Sequence, residues 1–524
     1  MALTITAGNA LDLGLIRAVA AGQPVEVAPG LIDIVRQRCA EARRALLDGH
    51  LVYGVNTGMG ALSKVRLTEQ QQSQHQRNLM LARATGGPPW LDEPEVRAIF
   101  TVRLLTFLSG DAAVSAALCQ RLADFLTNGI VPAVPRTGMG AAGEIMQLAH
   151  AFGPLTGIGQ VLRPDAAAGG PGQFSAGTEP ARQALRRHGL DEYILGPKEG
   201  IALLQGVPGS TGLVVLRLGE AAALVSLMEA AAAQSIVAVG ASRDPYTAAC
   251  GRGDEILAGV LARLRAAVGA EPSPRSLQAP VSFRVAGPVL TQALRASALL
   301  EAAVRRALIG VTDSPAWLDG RFTGTAGFHG IDLAAHCDQL TAAVCHAAEV
   351  ASARIHRLMD PAVTGLPAQL ARDPGPDAGL GPIHKRAAGE VHAMRRLATA
   401  TSVGLVETSG GQEDVQSFGW EAADKLSGAL RQARAVTACE LLAGYQAMAL
   451  SGRRVPEGCR ALLDRLTEII GPIEGDRPFG EDIERLIRAD WLLPCHSPAV
   501  LKAYRGAMYQ NVTETSSRRY GALR

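Results

Sequence analysis

Apolar residues recur at three- and four-residue intervals over long stretches of the chain from about Gly200 onward. One stripe runs Leu333, Cys337, Leu340, Val344, Ala347, Ala351, Ile355 and Leu358, a helical period sustained over more than three heptads. Similar stripes cover 211–242, 388–406 and 420–450. Alanine fills much of each stripe, which lets helices approach closely and predicts a bundle of long helices. The first 195 residues read differently. Glycine and proline punctuate them at Gly54–Gly60, Gly86–Pro89, Pro132–Gly143 and Ala167–Gly172, with short periodic segments between. The expected organisation is therefore mainly α: a loop-rich N-terminal domain over 1–195, then a long-helix bundle with C-terminal helices over 196–524. Breaks near 270–290, 315–330 and 360–388 read as loops, and loops on a rigid bundle are where chemistry usually sits.

Composition narrows the class. The 524 residues carry 51 Lys+Arg against 49 Asp+Glu, a formal net charge of +2. No segment has the concentrated basic footprint that nucleic acid requires. Hydrophobic residues make up 48 % and aromatics only 4 %, which favours packed helices over a β-sandwich. The apolar run Ala221–Ala241 is interrupted by Glu229, Gln234 and Ser235, so a buried helix is expected rather than a membrane span. The N-terminus lacks a basic region followed by an apolar core, and no signal peptide is expected. Eight cysteines (39, 119, 250, 337, 345, 439, 459 and 495) show no Cys-x-x-Cys pair and read as reduced thiols of a cytoplasmic protein. Cys337 and Cys345 each adjoin a histidine, but eight helical residues separate them by roughly 12 Å, too far for one tetrahedral ion. No metal is expected. The cluster His384-Lys385-Arg386 reads as a solvated loop or helix face.

Gly138-Met139-Gly140-Ala141-Ala142-Gly143 satisfies G-x-G-x-x-G, and a helix over Ile145–Phe152 follows. A dinucleotide site also needs a strand just before the glycines. Pro132 and Pro135 stand there instead, and prolines do not sit in a central parallel strand. Three loops carry more chemistry. Leu51–Gly60 sets Tyr53 and Asn56 among glycines, Leu277–Arg284 places Gln278 and Arg284 beside Pro280, and Ser409–Asp414 gathers Gln412, Glu413 and Asp414 before a long helix. Helix capping is the plainer account of the last, because carboxylates favour helix N-termini.

Taken together and in this order, these segments resemble the aromatic amino acid ammonia-lyase and aminomutase family, closest in layout to histidine ammonia-lyase. The resemblance covers roughly residues 10 to 500. Its anchors are Tyr53–Gly60, Gly138–His150, Lys198–Leu204, Gln278–Arg284, Gly327-Phe328-His329 and Gln412-Glu413-Asp414. It implies a homotetramer in which each active site draws on several subunits. It also implies an electrophilic prosthetic group, methylideneimidazolone, formed autocatalytically from an internal Ala-Ser-Gly. The matching tripeptide here is Ala141-Ala142-Gly143, and Ala142 has no hydroxyl to eliminate. The group is therefore expected to be absent and no other cofactor is expected.

Further departures accompany it. Glu144 stands where the family has Asp, Gln205 where it has Asn, Val281 where it has a second active-site Tyr, and Gly327 where it has Asn. Arg83 falls where histidine ammonia-lyases carry a His facing the substrate. The resemblance assigns Tyr53 as general base and Arg284 as the grip on the substrate carboxylate, with Gln278, Phe328 and Glu413 also at active-site positions. Arg83 and Gln205 join them as substrate-binding candidates, and Glu413 joins Tyr53 as a candidate to move a proton.

Three readings follow. One is a family enzyme without the prosthetic group, doing lyase- or isomerase-like proton chemistry on a small amino or carboxylic acid. Another is a conventional ammonia-lyase inactivated at position 142. The last is a non-catalytic binding homologue. Either enzyme reading predicts that Tyr53, Arg284 and Glu413 converge near residues 141–143.

Overall fold

The structure, a computed structural model, describes residues 2–491 apart from 9, 138–139 and 164–176. Cys495 and the turn expected at 167–172 lie outside the described residues. The N-terminal part runs through α1 (Leu13–Ala20), α2 (Pro29–Leu47), α3 (Glu69–Arg83), α4 (Glu93–Phe107), α5 (Ala116–Asn128), α6 (Ile145–Phe152) and α7 (Ala181–Arg187). A short α8 (Glu199–Leu204) leads into α9 (Pro208–Val239), α10 (Glu255–Val268), α11 (Val281–Arg284) and α12 (Ala286–Ile309). Then come α13 (Ile331–Leu358), α14 (Pro361–Thr364), α15 (Gly381–Leu397), α16 (Gly419–Ser451), α17 (Glu457–Ile470) and α18 (Phe479–Arg488). Strands are minor. β1 (Leu3–Ile5) pairs in parallel with β2 (Val25–Val27), while β3 (Gln160–Leu162) with β4 (Thr178–Pro180) and β5 (Ala316–Leu318) with β6 (Arg321–Thr323) are antiparallel.

The core is the bundle that the apolar stripes predict. α9, α12, α13 and α16 pack along one another, α15 lies against α13 and α16, and α4 crosses α9. One buried cluster runs from Ile5 to Leu486. α9 is largely buried, with 83 % of its most apolar window inside the protein, and only a narrow stripe through Glu220 and Ala223 faces outward. Close approach depends on missing side chains. A Cβ at Gly212 on α9 would come within 2.9 Å of the α4 backbone at Ala98 and Ile99. Between α9, α13 and α16 sits a buried ion pair, Arg354 with Glu440, joined by the Ser235 hydroxyl.

The breaks expected at 270–290 and 360–388 are shorter than the punctuation implied. α11 and α12 begin inside the first, and α15 begins at Gly381 inside the second, with Pro382 in its opening turn. Proline fits the first turn, where its missing N–H has no partner to lose. At its other end α15 stops at Leu397, short of 406. There the Asp338 carboxylate takes the N–H groups of Thr401 (2.9 Å) and Ser402 (2.9 Å) and ends the helical run. His384, Lys385 and Arg386 lie on α15, where Arg386 pairs with Glu484 at 2.7 Å and His384 stacks on His356. The thiols of Cys337 and Cys345 are buried in α13, and burial raises their pKa values.

Candidate functional site

The tyrosine loop is closed by its own polar side chains. Asn56 accepts the N–H of Val52 at 2.7 Å and donates to the carbonyl of His50 at 2.7 Å, while the Thr57 hydroxyl accepts the N–H of Gly54 at 3.2 Å. Asn and Thr close turns in this way. Asn56 is thus spent on the backbone, and Tyr53 is the side chain the loop presents, 39 % exposed. Its hydroxyl accepts the N–H of Gly60 at 2.8 Å. Gly54 is required twice over: φ is +68°, and a Cβ would lie 2.3 Å from Cδ1 of Ile201 on α8.

α8 is the loop's support. Gln76 of α3, fully buried, donates to the Gly54 carbonyl at 2.9 Å and accepts the N–H of Ile201 at 3.0 Å. The Lys198-Glu199-Gly200 motif fixes α8 in place. Lys198 is buried and ion-paired with Asp313. The Glu199 carboxylate accepts the N–H groups of Ser115 (3.1 Å) and Gly196 (2.7 Å). Gly200 leaves only 2.6 Å between a would-be Cβ and the Gln76 carbonyl oxygen. Gln205 closes α8 and is buried, and its carbonyl accepts from the interior guanidinium of Arg103.

Glu413 and Arg83 complete a group around Tyr53. Arg83 ends α3, which opens with a capping box between Thr68 and Gln71. Burial lowers the pKa of Arg83, while the nearby Tyr53 and Glu413 act to raise it. Its guanidinium also approaches Met59 Sδ at 3.9 Å. Glu413 does not cap α16, which starts at Gly419 from an uncapped Phe418. Its carboxylate instead accepts the N–H of Ala142 at 3.0 Å and the hydroxyl of Thr408 at 3.3 Å. Phe328 covers the same tripeptide, since a Cβ at Gly143 would lie 3.5 Å from its carbonyl oxygen and 3.9 Å from its ring. At Gly327 there is no room for any side chain: a Cβ would sit 2.1 Å from the Val311 carbonyl oxygen. A cavity of about 30 Å³, water-sized, lies against Ala141, Gly143, Gln147 and Phe328.

Glu144 lines the same cavity and turns its buried carboxylate to the start of α9. Its carboxylate accepts the N–H groups of Gly209 (2.7 Å) and Ser210 (2.8 Å) and the Ser210 hydroxyl (2.5 Å). These are orphan donors of the first turn of α9, so Glu144 caps a 32-residue helix at its positive end. Burial raises its pKa against the pull of those donors.

Gln278 and Arg284 lie elsewhere in the chain. They line a separate cavity of about 450 Å³, where Arg284 Nη1 donates to Gln278 Oε1 at 3.2 Å. The turn that carries them is held from below, by the Tyr246 hydroxyl on the Phe283 carbonyl and by Arg354 on the Ser282 carbonyl. Within one chain, therefore, Tyr53, Arg83, Glu413 and Phe328 gather at residues 141–143, while Gln278 and Arg284 do not join them. Val281, beside that second cavity, is 58 % exposed.

Residues 11–468 match the family model described as aromatic amino acid lyase. The chain belongs to that family. It is 32 % identical over 499 residues to a histidine ammonia-lyase from Anaeromyxobacter sp. (strain K), covering 91 % of this chain and 96 % of the relative. The tyrosine aminomutase of Streptomyces globisporus superposes with a TM-score of 0.84 at 25 % identity, covering 97 % of this chain and 98 % of that one. The ergothionase of Treponema denticola, an ergothioneine-degrading enzyme, shares the fold: TM-score 0.85, 23 % identity, 96 % and 99 % coverage. As a member of the aromatic amino acid lyases, the chain is a carbon–nitrogen lyase by family.

Two residues of this lyase's site were not visible in its sequence. Gln76 sits in the polar run Glu69–Asn78 and looks solvated until its burial is seen. His150 of α6 is 7 % exposed, and its Nε2 accepts the N–H of Gly86 at 2.9 Å, holding the segment that follows Arg83. Burial lowers its pKa from 6.5 to about 4. Because the folded value lies below the unfolded one, its contribution is complete above pH 6.5 and is lost as pH falls toward 4. Over that window the lyase is expected to lose about 3 kcal/mol through this group, at about 1.4 kcal/mol per unit. His150→Asn should flatten that limb of a stability–pH curve measured by urea denaturation. Glu144→Ala should lower stability by about 2 kcal/mol at neutral pH, through the lost cap on α9. A shift in urea midpoint reads it, and an unchanged midpoint would contradict the capping role.

Proposed function

We propose that this chain is a lyase-family enzyme that works without the methylideneimidazolone group and moves a proton on a small amino or carboxylic acid, with Tyr53 as base. The observation that carries the reading is the grouping of Tyr53, Arg83 and Glu413 around a tripeptide whose middle residue, Ala142, has no hydroxyl. The residues present do not fit the family's prosthetic group. Ala142 has nothing to eliminate, and the Asn expected at 327 would collide with the Val311 carbonyl. The second point favours this reading over a conventional lyase inactivated by one substitution, because the backbone at 311–312 leaves no room at 327 for the side chain the family carries there.

In this reading the Gly60 N–H stabilises negative charge on the Tyr53 oxygen, and Arg83 supplies a nearby positive charge. The Tyr53 phenolate takes a proton from a carbon next to the one bearing the leaving group. The C–H electron pair becomes a carbon–carbon double bond, and the leaving group departs with its own pair. Without an electrophile to activate the amine, the substrate must already carry a good leaving group or an acidic C–H. An isomerisation would instead return the proton from Tyr53 to a different carbon.

Arg284 and Gln278 bind the substrate carboxylate in this proposal, from a neighbouring subunit of a homotetramer. Exposed apolar residues flank both clusters, among them Leu51, Leu62, Leu277, Val281 and Leu405, which supports burial against another copy. The test is proton exchange in D₂O, followed by NMR on a panel of amino and carboxylic acids. Deuterium incorporation or alkene formation that disappears in Tyr53→Phe supports the reading. Exchange that survives that substitution, or no turnover of any acid, contradicts it.

A further inference from the structure

We propose that the cavity containing Arg284 takes a dicarboxylate, with Arg275 as the second guanidinium. The inference rests on the reading of Arg284 as the substrate-carboxylate grip and adds the substrate class. Arg275 and Arg284 line one cavity together with Ser276, Gln278 and apolar residues such as Val239 and Val363. None of the residues lining it is acidic. The neighbouring arginines differ. Arg243 and Arg453 both meet Glu271, at 3.9 and 2.7 Å, so their charge is neutralised within the fold. Arg275 makes no side-chain hydrogen bond or ion pair among the described residues, and Arg284 is bonded only to the neutral Gln278 through Nη1. Nε of Arg284 is buried with no partner, a donor left for something not in the chain.

The backbone of Arg275 is held in place. Its backbone N–H donates to the Gly240 carbonyl at 3.0 Å, at the C-terminal end of α9. Its guanidinium lies over Gly365, where a Cβ would be 2.3 Å from Nη1. Arg275 is exposed, so ordering its side chain is part of the cost of binding. Two planar forks on one cavity with apolar walls and no counter-charge match two carboxylates, each suited to paired N–H···O bonds. A monocarboxylate would leave one guanidinium unmatched.

Calorimetric titration of the intact protein with succinate, glutarate and adipate, against butyrate and valerate, tests this. At least one dicarboxylate should bind ten-fold or more tightly than the monocarboxylates. Arg275→Gln should bring that ligand down to the monocarboxylate level and leave butyrate binding unchanged, with thermal unfolding confirming an intact fold. Dicarboxylates that bind no better than monocarboxylates, or a preference that survives Arg275→Gln, would overturn the proposal. Arg284→Gln separates the two readings. It should abolish binding of both classes, and if it leaves butyrate binding intact then the assignment of Arg284 fails, and this inference with it.

Discussion

Arg354→Ala is expected to destabilise the protein by about 3–5 kcal/mol, because it leaves a buried carboxylate without its counter-charge. The side chains of Arg354 and Glu440 are 4 % and 0 % exposed, and their two hydrogen bonds are 2.5 and 2.8 Å. Ser235 supplies Glu440 with one further bond at 2.9 Å. Removing the guanidinium strands Glu440 between α9, α13 and α16 and also frees the Ser282 carbonyl that Arg354 holds at 3.2 Å. An unfolding entropy of about 2.1 cal/mol/K per residue makes 1 kcal/mol worth about 1 °C in a chain this long. Calorimetry should therefore show Tm lower by about 3–5 °C. The paired change Arg354→Met with Glu440→Leu should recover most of the loss, since apolar side chains of similar volume replace a buried pair at little net cost. A single-variant loss under about 1 kcal/mol would mean that the pair is not dry.

Tyr53→Phe is expected to lower kcat about 100- to 10,000-fold on any acid the native protein turns over, the range for loss of a positioned general base. Removing one exposed hydroxyl should leave Tm nearly unchanged. Carboxylate affinity should also hold, because Arg284 and Gln278 are on a different loop. Arg83→Gln offers a further test. Loss of the positive charge beside Tyr53 and Glu413 should lower kcat while leaving Tm nearly unchanged. A Tyr53→Phe protein that keeps a tenth or more of native kcat would remove Tyr53 from the chemistry.

The bundle was legible because burial and periodicity coincide. The stripe from Leu333 to Leu358 became α13, Ile331–Leu358, and the stripes at 211–242 and 420–450 became α9 and α16 within three residues at each end. Boundaries failed where proline was taken as a break. Pro288 and Pro382 stand in the opening turns of α12 and α15, where a missing N–H costs nothing. At the site, the tyrosine loop, Phe328 and Glu413 were legible from their glycines and order, and the structure brings them to residues 141–143. What position 413 does was not. A carboxylate ahead of a helix reads as a cap, yet Glu413 holds the Ala142 N–H, while the cap of α9 comes from Glu144, 64 residues upstream of Pro208. Contacts of that range leave no local pattern. Gln76 and His150 were hidden for the same reason, as polar side chains whose burial depends on which helices close over them. Gly327 looked like a lost asparagine, and the approach of the Val311 carbonyl explains why no side chain stands there.

The intact mass of the natively expressed protein, with a peptide map across residues 136–150, tests the central claim most directly. Formation of the family's prosthetic group removes two waters, about 36 Da. With Ala142 in the tripeptide and Gly327 closed against Val311, the expected mass is that of the unmodified chain, and the peptide containing Ala141-Ala142-Gly143 should be linear. A mass lower by one or two waters, located to that peptide, would contradict the claim and return the protein to ordinary ammonia release from amino acids.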